Sequence, residues 1–208
     1  GEGGVKVAPD GFFSALRQLC DDRGILLLLD EVQTGLGRTG TFFAFEQEGI
    51  TPDAIGLAKA LGGGVPVGAI VAKDTVAEAL QPGTHATTFG GNALAMRAGR
   101  TVLAIFERDR LVAQAADRGA YLLGRLKAEF AGKSYVRDVR GRGLMVGVEV
   151  ADKARDIIMR CRDDHRVLVS VAGGTTLRMT PPLIVSEAEC DIAAEALRKA
   201  ADSLLDPS

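Results

Sequence analysis

One stretch constrains this chain more than any other. Ile25-Leu26-Leu27-Leu28-Leu29 is five aliphatics without alternation, and it ends in Asp30-Glu31. An unbroken apolar run of that length predicts a strand over 25–30 buried on both faces, as in the middle of a parallel sheet. A carboxylate where such a strand surfaces either caps the next turn or belongs to a site, because ligands in open α/β sheets gather at the carboxyl ends of strands. A buried acid there needs a cationic or hydrogen-bonded partner. The same region closes on Ala58-Lys59-Ala60-Leu61 and three glycines, so it holds an acid and an amine.

The flanking pattern extends this to an α/β fold. Phe12, Phe13, Leu16 and Leu19 fall on one helical stripe ahead of the strand, and the glycine-spaced segment 34–40 and Pro52 mark turns. Ala54–Leu57 and 68–72 are two more short strands, which suits a mostly parallel sheet with helices on its faces. Helices are predicted over 92–107, with Leu94, Val102, Leu103 and Phe106 as the apolar stripe, and over 111–130. After Lys133 the texture becomes α+β. Strands at 136–139, 144–150, 167–171 and 177–180 alternate with helices near 152–163 and 186–205. The predicted division is a larger domain over 1–108 and a small C-terminal domain over 109–208, with the helices at 92–130 linking them.

Composition excludes several classes of partner. The net charge is −2 with no long run of one sign, which argues against nucleic acid and membrane surfaces. Aromatics are 5% with no Trp, a poor basis for stacking on bases. No apolar run is long enough to span a bilayer and no signal peptide is visible. Cys20, Cys161 and Cys190 are odd in number and form no close pair, so reduced, buried thiols in a cytoplasmic protein are expected. His85 and His165 read as structural or surface residues, and no metal cluster stands out. The chain opens at Gly1, inside a Gly-rich loop and without Met, which points to sequence upstream.

Three motifs compete for the first hundred residues. Aliphatics followed by Asp30-Glu31 look like the magnesium strand of a P-loop NTPase, but the partner motif GxxxxGK[ST] is absent from the chain. Gly35-Leu36-Gly37-Arg38-Thr39-Gly40 is a literal GxGxxG. A pyrophosphate needs those glycines directly at the strand end, and here two carboxylates intervene, so a turn requiring positive φ is the plainer reading. The third motif joins Asp30 to Lys59. A lone lysine is ordinarily solvated surface. Lys59 has Leu57, Ala58, Ala60 and Leu61 as neighbours, and a small apolar setting favours the free amine that acts as a nucleophile. With a pyridine-aldehyde cofactor, the amine would hold the aldehyde and the acid would hold the ring nitrogen.

Taken together, the segments at 29–40, 52–53 and 58–69, and then Gly83-Thr84-His85-Ala86-Thr87-Thr88-Phe89-Gly90-Gly91-Asn92, resemble the class III (omega-amino-acid) aminotransferases. Within that family the likeness is greatest to the members that use N-acetylornithine. The resemblance covers essentially the whole chain and implies the C-terminal portion of a fold-type I pyridoxal-phosphate transferase. It implies Lys59 as the Schiff-base and proton-moving lysine, Asp30 as the pyridinium partner, and Glu31 beside it in the cofactor site. Gln33 would donate to the phenolic oxygen, Val32 would pack on the ring, and Thr88 would bind the cofactor phosphate across a subunit interface. Thr87 would contact the substrate. Apart from the resemblance, Thr87 and Thr88 read as ordinary loop caps.

The resemblance also implies a pair at a distance. Leu177-Arg178-Met179-Thr180-Pro181-Pro182 looks like the family segment whose arginine binds a substrate carboxylate, and Gly1-Glu2-Gly3-Gly4 like the tail of the motif whose Glu pairs with it. Without that likeness Arg178 reads as an exposed strand charge. The implied reaction passes an amino group from N-acetylornithine to 2-oxoglutarate in arginine biosynthesis, in a homodimer with a shared active site. Ornithine, 4-aminobutyrate and succinylornithine are the other donors considered. The chain has roughly half the family's usual length, so a non-catalytic fragment that only pairs with another chain is the contrasting reading.

Overall fold

The computed structural model describes residues 1–206. The chain divides into two compact units. One comprises Ala8–Gly37 and Thr41–Val112, and the other Gly1–Val7, Arg38–Gly40 and the chain from Ala113 onward.

In the first unit, α1 (Phe12–Arg23) leads into a three-stranded sheet of order β1-β2-β3. Gly24 ends α1 in the left-handed conformation, and its N–H closes onto the last-turn carbonyls. β1 (Leu28–Asp30) runs parallel to β2 (Ala54–Leu57), and β3 (Ala69–Ala72) is antiparallel to β2. The expected doubly buried strand over 25–30 needs correction. β1 has three residues and pairs on one side only, and Ile25, Leu26 and Leu28 are more than half exposed. The middle strand is β2, and it is Ala54, Ile55 and Leu57 that are buried. On α1, Phe12 and Leu19 of the expected stripe are half exposed and Cys20 is the buried residue.

Asp53 pins the amino ends of β1 and β2. Its Oδ2 accepts from the Leu27 N–H at 2.8 Å and from Arg17 Nη1 at 2.7 Å, and its Oδ1 accepts from Lys73 Nζ at 2.8 Å. One carboxylate therefore holds α1, the start of β1 and the residue after β3. Beyond β3 come the short α2 (Asp74–Ala77) and then α3 (Ala93–Arg108), whose Asn92 cap accepts from the Ala95 N–H.

The second unit takes up α4 (Leu111–Glu129) and a four-stranded antiparallel sheet of order β4-β5-β7-β6. Its strands are β4 (Val136–Arg142), β5 (Met145–Val150), β6 (Ser170–Ala172) and β7 (Thr176–Met179). With α5 (Ala154–His165) and α6 (Glu187–Leu205) they enclose Leu122, Leu126, Val146, Val148, Ile157, Leu177 and Leu197, all nearly inaccessible. Ser186 and Glu189 form a capping box that starts α6. Cys161 and Cys190 are free thiols in this core, and burial pushes Cys161 up to about 11, out of the reactive range.

The GxGxxG stretch proves to be backbone architecture. Leu36, Gly37 and Gly40 all have positive φ. The Arg38 carbonyl accepts from the Leu144 N–H at 2.9 Å, and Arg38 Nη1 donates to the Leu144 and Pro181 carbonyls. Gly119 of α4 and Gly143 at the β4–β5 turn meet there backbone to backbone. A Cβ on Gly119 would lie 2.2 Å from the Gly143 carbonyl carbon. Gly to Ala within a helix ordinarily stabilises by about 1 kcal/mol. At this contact no flexible side chain can yield, so Gly119→Ala is expected instead to destabilise by about 1–3 kcal/mol, the cost of overpacking, as read by thermal melting.

Candidate active site

In the first unit the sheet register brings the acid and the amine to one end. β1 and β2 are parallel with Asp30 opposite Gly56, so Asp30 ends β1 and Lys59 follows β2 by two residues on the neighbouring strand. Adjacent strands lie about 4.8 Å apart. Lys59 opens the 3₁₀ turn Lys59–Gly62 with φ 47°, a left-handed conformation uncommon outside glycine. The turn is backed by α3, where Ala95 is buried and a Cβ on Gly99 would stand 3.6 Å from the Leu61 carbonyl. Leu61 and Gly62 are buried while Lys59 is exposed. The expected apolar setting of Lys59 is thus not supplied by its sequence neighbours, because the left-handed turn sends Leu57 and Leu61 inward and Lys59 outward.

Asp30 is oriented by its own turn, its Oδ1 accepting from the Val32 N–H at 2.9 Å. Glu31 points the other way. It is 3% exposed, its Oε2 accepts from Thr34 Oγ1 at 2.6 Å, and its Oε1 accepts from the Phe45 N–H at 3.1 Å. Both oxygens brace the turn that carries the half-buried Val32 and Gln33, so Glu31 stands in the predicted cofactor segment as a support for its neighbours. Thr87 and Thr88 lie on the stretch between α2 and α3, where every residue from 82 to 92 is exposed, and not on the strand ends. That stretch is anchored where it enters α3, with Asn92 Nδ2 donating to the Phe89 carbonyl at 2.8 Å. His85 lies on it too, also exposed.

In the second unit Glu2 and Arg178 meet. Arg178 Nη1 donates to Glu2 Oε1 at 2.6 Å, and Arg178 Nε donates to Ser170 Oγ at 3.1 Å. The arginine side chain is 13% exposed and the glutamate 75%, so a held guanidinium faces a solvated carboxylate. This overturns the reading of Arg178 as an exposed charge. Beside it a cleft of about 360 Å³ is lined by Ser170, Arg178, Met179, Pro181 and Cys190, a volume suited to a small ligand. Sequence reasoning missed Ser170. The buttress on Arg178 follows from the β6–β7 register, in which Ser170 and Arg178 are opposite, and no local motif signals it.

An amine and a carboxylate at one sheet end are the two groups a pyridoxal ring calls for at its aldehyde and its ring nitrogen, so Lys59 and Asp30 suit that cofactor. Among the described residues there is no group of three or more His, Cys, Asp or Glu placed to hold a metal ion, and no helix long and apolar enough to cross a membrane.

Comparison with known proteins follows the same line. A family model described as aminotransferase class-III matches residues 1–201. The acetylornithine aminotransferase of Myxococcus xanthus is 46% identical over 194 residues, covering 92% of this chain and 48% of that protein. The acetylornithine aminotransferase of Methanopyrus kandleri is 48% identical over 205 residues, covering 98% and 51%. The solved ornithine delta-aminotransferase of Plasmodium falciparum superposes with a TM-score of 0.93 at 35% identity, covering all of this chain and 54% of that one. The chain spans about half the length of the curated relatives it matches.

Proposed function

The chain belongs to the class-III aminotransferases, which are pyridoxal-phosphate enzymes, and we propose that it works within an enzyme that moves an amino group from N-acetylornithine to 2-oxoglutarate. The products are N-acetylglutamate semialdehyde and glutamate, a step of arginine biosynthesis, and the working form is a cytoplasmic homodimer. The observation that carries this reading is the Glu2–Arg178 ion pair. The two substrates make different demands. 2-Oxoglutarate brings a second carboxylate, and the donor reacts through a terminal amine. A half-buried guanidinium with an exposed acid partner serves both, pairing with the substrate carboxylate when one is present and with Glu2 when none is. N-acetylornithine is preferred as donor because the curated relatives described above act on it.

When bound, pyridoxal phosphate supplies an aldehyde for the donor nitrogen and an electron-poor ring that stabilises negative charge on the reacting carbon. Lys59 would hold it at the aldehyde carbon, Asp30 at the ring nitrogen, Gln33 at the phenolic oxygen, Val32 at the ring face and Thr88 at the phosphate. Asp30, oriented by the Val32 N–H, keeps a proton on the ring nitrogen. Lys59 Nζ, free to swing on its outward turn, takes the proton from the donor's terminal carbon and returns it on the other side of the transfer. Thr87 contacts the substrate.

The ornithine aminotransferase likeness makes free ornithine the competing donor. Initial rates with 2-oxoglutarate and each of N-acetylornithine, ornithine and 4-aminobutyrate distinguish them. A kcat/KM at least about tenfold higher for N-acetylornithine is expected, within the range pocket contacts provide. An equal or higher value for ornithine would reassign the donor.

A further inference from the structure

Four residues stand in one row across the second sheet. Arg140 of β4 is opposite Gly147 of β5, Gly147 is opposite Arg178 of β7, and Arg178 is opposite Ser170 of β6. Residues directly opposite one another share a face, so two arginines flank a position with no side chain. The segment Gly1–Val7 fills that gap. Val5 is buried, and a Cβ on Gly147 would come within 3.2 Å of its Cγ2. Arg140 grips this segment from one side. Its Nε donates to the Val5 carbonyl at 2.9 Å, its Nη2 donates to the Gly4 carbonyl and to Thr176 Oγ1, and its Nη1 pairs with Glu149 at 2.7 Å and Asp138 at 3.0 Å. On the other side Arg178 holds the Glu2 carboxylate, and the Gly173 N–H donates to the Glu2 carbonyl at 2.9 Å. Val5 has φ 53°, which a β-branched residue does not favour, so the strap is strained at that residue. The Arg140 hydrogen bonds add to the strap's own turn, in which the Gly4 and Val5 N–H groups donate to the Gly1 carbonyl.

We propose that Arg140 is a positioning residue for Glu2. By holding the Gly4 and Val5 carbonyls across the Gly147 gap, it keeps the backbone of Glu2 within reach of Arg178. Exchange of Glu2 for a substrate carboxylate then needs only a side-chain rotation, and the strap stays in place. The fork geometry matters, because a guanidinium can serve two carbonyls and two carboxylates at once and an ammonium cannot. This rests on the reading of Arg178 as the substrate-carboxylate residue.

The test uses the cofactor-loaded enzyme and the conservative variant Arg140→Lys, which keeps the charge facing Glu149, beside Glu2→Gln and the double variant. The probe is glutarate, a dicarboxylate that competes with Glu2 for Arg178. In Arg140→Lys, glutarate is expected to bind roughly fivefold tighter and kcat/KM for the N-acetylornithine half-reaction to fall roughly fivefold, the scale of coupling between contacting residues. Glu2→Gln should shift both in the same directions, and the double variant should add little. The Gly173 amide should exchange with solvent faster in Arg140→Lys, since its acceptor is the Glu2 carbonyl. Glutarate and donor weakened in equal proportion would reduce Arg140 to a general fold residue and overturn the proposal. So would opposite shifts in Glu2→Gln with none in Arg140→Lys. If Glu2→Gln moved neither quantity, the reading of Arg178 itself would fall and the proposal with it.

Discussion

Lys59→Ala is expected to lower kcat by at least about 10³-fold while leaving the melting curve of the cofactor-free protein where it was. The loss has two sources. In the proposed mechanism the substitution removes the amine that holds the cofactor and also the group that carries the proton between the two carbons, a role worth about 10²–10⁴ by itself. The fold should tolerate the change because Lys59 is exposed and the turn behind it is held by buried Leu61 and Gly62 against α3. Alanine inherits the same left-handed backbone, so no strain is relieved that could confuse the reading. A small primary amine added to the Lys59→Ala enzyme should restore part of the rate by supplying the missing base. Single-turnover absorbance with N-acetylornithine, with and without added amine, is the measurement. Retention of most of the activity would remove Lys59 from the chemistry.

Asp53→Ala carries the largest expected effect on stability, about 1–3 kcal/mol, because it leaves the buried Leu27 N–H without an acceptor and takes one of two carboxylates from Arg17. The Leu27 N–H would lose its acceptor at the amino ends of β1 and β2, and Arg17, 14% exposed, would keep only its pair with Asp21. The Lys73 hydrogen bond, then the Leu27 N–H and Arg17, hold the Asp53 carboxyl well below the ordinary range of a carboxylate. Lys73 is nevertheless 47% exposed, so its pairing adds little to stability and the Arg17 and Leu27 contacts carry most of the loss. The sign with pH follows. A depressed carboxyl stabilises the fold fully above its unfolded value, near about 3.9, and that stabilisation is lost as pH falls toward the folded value. Urea denaturation should therefore show wild type well above Asp53→Asn at neutral pH, with the gap narrowing below about pH 4. A constant gap would mean that the charge is not what holds the strands.

Most elements were legible because their signals are local. α3 begins at a capping Asn92, α6 begins at Ser186, and β2 lies where its short apolar run stands between Pro52-Asp53 and Lys59. What escaped depends on pairing. The run over 25–29 has the composition of a doubly buried strand, yet in this unit β1 has one partner and its aliphatics stay exposed. Asp30 and Glu31 are adjacent in sequence and look alike, but opposite strand faces make one a candidate ligand and the other an internal brace. Arg140, Ser170 and Gly147 enter the site region only through the row they share across four strands, which no local pattern announces. Glu2 and Arg178 could be paired in advance only through their resemblance to two distant family motifs.

Central to the proposed mechanism is the assignment of Lys59 as the residue that joins the cofactor. The direct measurement is to incubate the protein with pyridoxal phosphate, reduce with borohydride, digest, and locate the added mass by peptide sequencing. The expected result is one phosphopyridoxyl group per chain on Lys59, lost in Lys59→Ala. Label spread over several surface lysines, or fixed on another lysine with Lys59 unmodified, would contradict the assignment.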